Sequence, residues 1–342
     1  MAKIITMGEI MMRLSPPGYQ RFTQATNFDI NYGGAEANVA FTLAQLGHDV
    51  SFVSKVPANP MGDSAIGALQ RKGVNCSHVA RGGKRLGIYF LENGASIRPS
   101  RVVYDRAESA ITEAKPEDFD FDAIFKGADL FHISGITPVI SKEAAVVTKA
   151  AMKAAKDHGV CVSFDLNYRN GLWKEDIKEK KKVMSDLMEY VDICFGNPLD
   201  AAKCLGYEDG ETDFINSDYK VCVSAENMAK VVKHYNLKYL ITTLRDVQSA
   251  SDNGWSGAVS DGEKLYEGRK YQLHIVDRVG GGDAFASGFL HAYVTKGTME
   301  DALEYGLATA AIKHTIPGDL NYVTVDEIEE LVNNHNIGRV SR

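Results

Sequence analysis

Val276-Asp277-Arg278-Val279-Gly280-Gly281-Gly282-Asp283-Ala284-Phe285 is the stretch whose reading decides the fold of this 342-residue chain. A β-branched segment stops at three consecutive glycines, and an aspartate then opens a helical pattern. Phe285, Phe289 and Ala292 recur on one face of that helix, with Ala286, Leu290 and Tyr293 beside them. Glycines carry no Cβ, so backbone N–H groups at such a corner can approach an anion closely. The helix N-terminus adds a partial positive charge aimed at the same point. An aspartate placed there is expected to stay ionised at little cost and to take a proton beside a bound phosphate, which suits phosphoryl transfer to a hydroxyl. The same residues also fit a tight strand-to-helix connection with an aspartate as a cap. The run matches neither G-x-x-x-x-G-K-[ST] nor G-x-G-x-x-G.

Outward from this corner, apolar strands alternate with helical patterns. Strands are expected over residues 4–7, 50–53, 160–164, 191–195 and 239–242. Helices are expected over 34–46, 61–72, 142–157, 179–190, 225–235 and 299–314, with Gly47 and Gly73 ending the first two. Such alternation is the pattern of βαβ units and a mostly parallel sheet covered on both faces. Residues 11–31 and 85–106 break the rhythm with β-rich segments and no helix. They read either as a small β-layer that covers a site or as a meander at the sheet's edge. The expected division is a core of residues 1–10, 32–84 and 107–342, with 11–31 and 85–106 as the inserted lid.

Composition narrows the function. The net charge of −7 leaves no basic surplus to neutralise phosphates, which argues against a nucleic-acid or anionic-membrane binder. No apolar run reaches spanning length and the first residues lack a signal-peptide layout, so the cytoplasm is the expected compartment. Cys76, Cys161, Cys194, Cys204 and Cys222 follow no CxxC spacing and read as reduced thiols. No His spacing suggests a zinc site.

A second glycine pair opens a helix at Gly33-Gly34-Ala35-Glu36-Ala37-Asn38-Val39-Ala40. Together with Asp277-Arg278-Val279-Gly280-Gly281-Gly282-Asp283 it resembles the two signatures of the ribokinase-like (PfkB) carbohydrate kinases, GG-x-x-x-N-x-A early and D-T-x-G-A-G-D late. Gly62-Asp63 with Gly67 is similar to the family's early G-D-x-x-G helix start, and Asn197-Pro198-Leu199-Asp200 to its N-x-x-E. The resemblance covers essentially the whole chain. It implies a three-layer ribokinase-like α/β fold with a small β-sheet lid. Arg278 and Gly281 stand where the family has threonine and alanine. Thr242-Thr243-Leu244-Arg245-Asp246 lacks the T-x-G-x-x-G pattern found around the nucleotide in many relatives.

The segments Arg101-Val102-Val103-Tyr104-Asp105-Arg106-Ala107-Glu108-Ser109-Ala110 and Asp165-Leu166-Asn167-Tyr168-Arg169 resemble Y-x-R-x-x-S-A and D-x-N-x-R of 2-keto-3-deoxygluconate kinases. A sugar acid needs an arginine fork for its carboxylate, whereas a neutral sugar is read by hydroxyl-directed groups. The resemblance implies Asp283 as catalytic base and Gly280, Gly281 and Gly282 as an anion hole. It implies sugar contacts from Gly33, Gly34, Asn38, Tyr89, Tyr104, Arg106 and Arg169. It implies ATP contacts from Asn167, Tyr168, Arg169, Thr243, Arg245 and the three glycines, with Ala310 walling the adenine. Magnesium would be held indirectly through Asn197 and Asp200, and a requirement for a monovalent cation is left open. Pairing of the lid into a homo-oligomer is expected. The other readings are a kinase for fructose or ribose, a sugar-acid-binding regulator without turnover, and a nicotinamide-dependent oxidoreductase, the last disfavoured by the missing G-x-G-x-x-G.

Overall fold

The computed structural model describes residues 1–334. Its strands are β1 (Lys3–Met7), β2 (Met11–Ser15), β3 (Asp29–Gly33), β4 (Asp49–Val56), β5 (Val79–Arg81), β6 (Gly87–Glu92), β7 (Arg101–Asp105), β8 (Leu130–Ser134), β9 (Cys161–Asp165), β10 (Ile193–Phe195), β11 (Tyr239–Val247), β12 (Asp252–Ser260), β13 (Leu265–Glu267) and β14 (Tyr271–His274). In the large sheet β11-β10-β9-β8-β1-β4-β5 run parallel. The strand β12 joins β11 antiparallel and carries β13 and β14 on its far side. Burial on both faces explains the continuous apolar runs: Ile4, Ile5, Thr6 and Met7 of β1 are all buried.

Helices cover both faces, and their ends follow the local chemistry. The helix Lys142–Asp157 buries Ala144, Val147, Thr148, Ala151, Met152 and Ala155 on one stripe, and the Ser141 side chain caps it by accepting from the Ala144 amide. The helix Gly281–Thr295 is buried nearly all round, because it packs between helices Ala35–Gln45 and Met299–Lys313. Gly288 allows that contact. A Cβ at Gly288 would lie 2.3 Å from Thr309 Oγ1 and 2.6 Å from Tyr305 O.

The helices expected at 142–157 and 225–235 are found with those bounds. Others differ at their ends. The α-helix expected at 179–190 is Ile177–Leu187 with a 3₁₀ turn at Met188–Tyr190, and β10 begins at Ile193 rather than 191. The strand expected at 239–242 runs on to Val247, since pairing with β12 extends it. The strands β8, β12, β13 and β14 carry no expectation above, and they complete the sheet.

The small sheet is separate, in the order β3-β2-β6-β7. It is mixed: β2 and β6 are parallel, while β2–β3 and β6–β7 are antiparallel. Met11, Tyr89 and Leu91 on its inner side pack together with Val279, at the start of the glycine corner. The chain enters β2 directly after β1, whose neighbours β4 and β8 lie on opposite sides. That reversal of strand order opens a crevice at the carboxyl ends of the strands, where ligands gather in such sheets. Among the described residues no helix is long and apolar enough to cross a membrane.

The Gly288 contact is testable. Alanine would gain about 1 kcal/mol of helix propensity, but overpacking against Thr309 costs about 1–3 kcal/mol. Gly288→Ala is therefore expected to lower stability in urea unfolding, and an increase would contradict the packing described.

Candidate active site

A cleft of about 800 Å³ lies between the small sheet and the carboxyl ends of β1, β9, β10 and β11. It brings together Gly34, Asn38, Tyr89, Tyr104, Arg106, Asn167, Tyr168, Arg169, Asn197, Asp200, Thr243, Arg245, Gly280, Gly281, Gly282 and Asp283. Two expected residues lie elsewhere. Ala310 is fully buried and does not line the cleft, because its helix packs behind the glycine corner. Gly33 is buried beside the cleft-lining Asp319, packed so closely that a Cβ would lie 2.4 Å from its Oδ1. Asp63 of the early G-D-x-x-G start is paired with Arg81 on the surface.

The corner itself turns at Gly280, whose φ of +80° suits glycine. A Cβ there would also meet Asp319 O at 2.4 Å. The Gly281 amide donates to Arg278 O at 3.3 Å, whereas among the described residues the amides of Gly280, Gly282 and Asp283 have no acceptor. These free donors at a helix N-terminus form an anion site. The structure also explains Gly281 in place of alanine: a Cβ would lie 2.5 Å from His314 Cε1.

Asp283 opens onto the cleft within the first turn of this helix, and Asn38 Nδ2 donates to its Oδ2 at 2.7 Å. Asn38 Oδ1 also accepts from the Gly34 amide at 3.4 Å, so one side chain joins both glycine-led helices. The expectation of an acid cheaply kept ionised is corrected. Removal from water, with repulsion from Asp165 and Glu36, pushes Asp283 up to about 7 against the Asn38 hydrogen bond. The glycine amides line the cleft and make no hydrogen bond to this carboxylate.

Three acids surround it: Glu36 and Asp165, to which the sequence reading gave no role, and Asp200, expected near magnesium. Glu36 is buried and pushed up to about 6 by that burial, although Ser134 and Thr137 donate to it. Asp165 at the end of β9 is raised by burial and holds the Asn167 amide and side chain at 2.9 Å each. Burial, then repulsion from Asp165, lifts Asp200 to about 6, and Asn197 Nδ2 donates to it at 2.6 Å. Asn167 Oδ1 is buried with no partner. Uncompensated oxygens around two strained carboxylates suit a hard divalent cation bound partly through water. Among the described residues no three His, Cys, Asp or Glu side chains converge as a closed metal site.

The arginines differ from one another. Arg106 is ion-paired with Glu9, which also accepts from Ser109 Oγ at 2.6 Å, and its buried Nε has no partner. Arg169 is exposed and donates only to Tyr168 O. Arg245 stands over the Trp255 ring at 5.2 Å, and Arg278 is tethered to Ser249 O at 2.8 Å. Glu36 and Asp165 lie inside motifs quoted above; Asp319 follows no motif, and only the fold brings it to the cleft.

An open cleft at strand ends, free amides at a helix start, and an acid titrating near neutrality are the parts of an enzyme that moves an anionic group. The comparisons make the class definite. Residues 1–323 match the model of the pfkB family of carbohydrate kinases, and the chain belongs to that family. It is a sugar kinase with the ribokinase-like fold. It is 32% identical over 338 residues to 2-dehydro-3-deoxygalactonokinase from Haloferax volcanii, covering 98% of each chain. The crystal structure of 2-dehydro-3-deoxygluconokinase from Thermotoga maritima shares 47% identity, with a TM-score of 0.90 over 97% of this chain and 98% of that one. An uncharacterized sugar kinase from Pyrococcus horikoshii in complex with ATP shares the fold at 19% identity, with a TM-score of 0.73 over 96% of this chain and 97% of that one.

The raised Asp283 carries a sign that can be checked. Its folded-state pKa exceeds the ordinary value of about 4, so the stability from its protonated form is complete below that value and lost as pH rises through about 7. Asp283→Asn keeps an acceptor for Asn38 and removes the charge. It is expected to melt above the parent at about pH 8, with the difference narrowing towards about pH 5. Equal melting temperatures at both pH values would exclude a raised Asp283.

Proposed function

We propose that the chain transfers the γ-phosphoryl group of ATP to the 6-hydroxyl of 2-keto-3-deoxygluconate. The observation that carries the reading is Asp283, a carboxylate titrating near neutrality beside unpaired helix-start amides on the floor of the cleft. The Thermotoga maritima and Haloferax volcanii relatives support the sugar-acid class, since the two names differ only in the sugar from which the acid derives.

In this reading Asp283 accepts the proton of the 6-hydroxyl as that oxygen bonds to phosphorus and the bond to the ADP oxygen breaks. The amides of Gly280 and Gly282, with that of Asp283, receive the charge on the transferring group. Asn38 holds the base towards the hydroxyl. Thr243, Arg245 and Arg169 face the nucleotide phosphates, with Asn167 and Tyr168 beside them. Tyr89, Tyr104 and Arg106 hold the sugar acid beneath the small sheet, and Gly34 lets the backbone close on it. Asp165, Asp200, Asn167 and Asn197 would hold magnesium, which offsets phosphate charge when bound.

The small sheet exposes Phe28, Ile30 and Val103 on the side away from the cleft, an apolar face suited to a second copy of this chain. The expected outcome is a dimer by sedimentation that Val103→Asp weakens; an unchanged monomer in both would remove the pairing.

A coupled ADP-release assay tests the activity, with 2-keto-3-deoxygluconate, its galactose-derived epimer, fructose and ribose in competition. The sugar acids are expected to prevail, and turnover of fructose or ribose alone would overturn the substrate class. Asp283→Ala is expected to lose orders of magnitude in kcat, while Arg106→Ala mainly raises the KM of the sugar acid. In the parent, kcat/KM should fall as pH drops through about 7, because the base must be ionised.

A further inference from the structure

Beneath the glycine corner, reaching the wall of the cleft through Asp277 and Asp319, lies a buried cluster of four charged side chains. Arg13 of β2 donates to Asp277 Oδ2 at 2.7 Å and to Asp319 Oδ2 at 2.9 Å. Tyr89 of β6 donates to the other oxygen of Asp319. Asp277 accepts in addition from the Val279 amide at 3.0 Å and the Gly318 amide at 2.9 Å. Asp277 therefore ties the backbone just before Gly280 to the Gly318 loop, while Asp319 is held by side chains. The fourth member is Lys313, at the end of helix Met299–Lys313 and with none of its surface exposed. Its Nζ donates to Ile316 O at 2.9 Å and makes no direct ion pair; burial lowers the pKa of the ammonium, and Asp277 and Asp319 oppose that shift. Its Cε would lie 3.4 Å from a Cβ at Gly280.

The charges balance: Asp277 and Asp319 against Arg13 and Lys313. Without Lys313 the cluster carries one buried negative charge, directly behind amides that face a phosphoryl group. That charge would oppose the charge developing in transfer and would loosen the Ile316 carbonyl that the ammonium holds. An ammonium bonded to a backbone carbonyl and lying near two buried carboxylates has surroundings that a small monovalent cation could share. We propose that Lys313 is a positioning residue, a built-in monovalent cation that fixes the Gly280 turn and frees the enzyme from any requirement for a cation from solution. This inference rests on the phosphoryl-transfer reading of the corner.

The test compares the parent and Lys313→Ala in sodium, potassium and tetramethylammonium chloride at one ionic strength, with and without ammonium or methylammonium. The parent rate is expected to be the same in all three salts. Lys313→Ala is expected to lose about 100-fold in kcat with little change in the sugar KM, and ammonium or methylammonium should restore about tenfold. The melting temperature of the variant should rise in methylammonium and not in tetramethylammonium, a readout independent of turnover. A parent that slows sharply in tetramethylammonium, a variant at parental kcat, or a folded variant that no amine restores would each overturn the proposal. If Lys313→Ala does not fold, Lys313→Met keeps the stem volume and removes the charge: kcat should fall about 100-fold at little-changed sugar KM, and a parental kcat would overturn the proposal. A parent that releases no ADP with any sugar acid would sink the activity instead, and the amine effect on melting would still decide the role of Lys313.

Discussion

The turn at Gly280 is the constraint on which the rest of this structure depends. Its positive φ swings the chain from β-structure into a helix and leaves its own amide and those of Gly282 and Asp283 unpaired. Nothing within the corner alone holds that geometry. Asp277 bonds the Val279 amide, Arg13 clamps Asp277 to Asp319, and the Asp319 carbonyl sits where any side chain at position 280 would stand. A strand of the small sheet thus supplies the cation that secures a loop 264 residues away in sequence.

The site sets two kinds of acid against each other. Asp277 and Asp319 are matched by buried cations and serve as fixed anchors. Asp283, Asp165, Glu36 and Asp200 have too few positive partners, and burial leaves them inclined to hold protons near neutrality or to attract a cation. In the proposed reaction that imbalance is useful. A base titrating near neutral pH combines availability with driving force, and substrates bringing magnesium relieve the repulsion among its neighbours. The cost is borne by the empty protein, which keeps several uncomfortable carboxylates together.

Much of the fold was legible because parallel strands buried on both faces leave unbroken apolar runs, and glycine or serine marks the helix ends. The helix Lys142–Asp157 shows both signals. The strands β12, β13 and β14 were not legible, because antiparallel strands that pair with one another are defined by that pairing, and the short buried β8, interrupted by His132, went unread as well. At the site, glycine pairs and Asp283 could be read from spacing, and Arg106 and Arg169 from resemblance. Arg13, Asp319 and Lys313 could not, since their roles arise only when β2, β6 and the end of helix Met299–Lys313 converge. Ala310, inferred by likeness, is buried within helix Met299–Lys313 and does not line the cleft.

The central claim is that the free amides of the glycine corner receive the terminal phosphate beside Asp283. Amide NMR of the ¹⁵N-labelled protein, titrated with a non-hydrolysable ATP analogue, magnesium and the sugar acid, reads those groups directly. The account predicts the largest downfield shifts at Gly280, Gly282 and Asp283, as expected for donors that gain an anionic acceptor. A corner whose amides stay unmoved while saturation shifts residues elsewhere would contradict it.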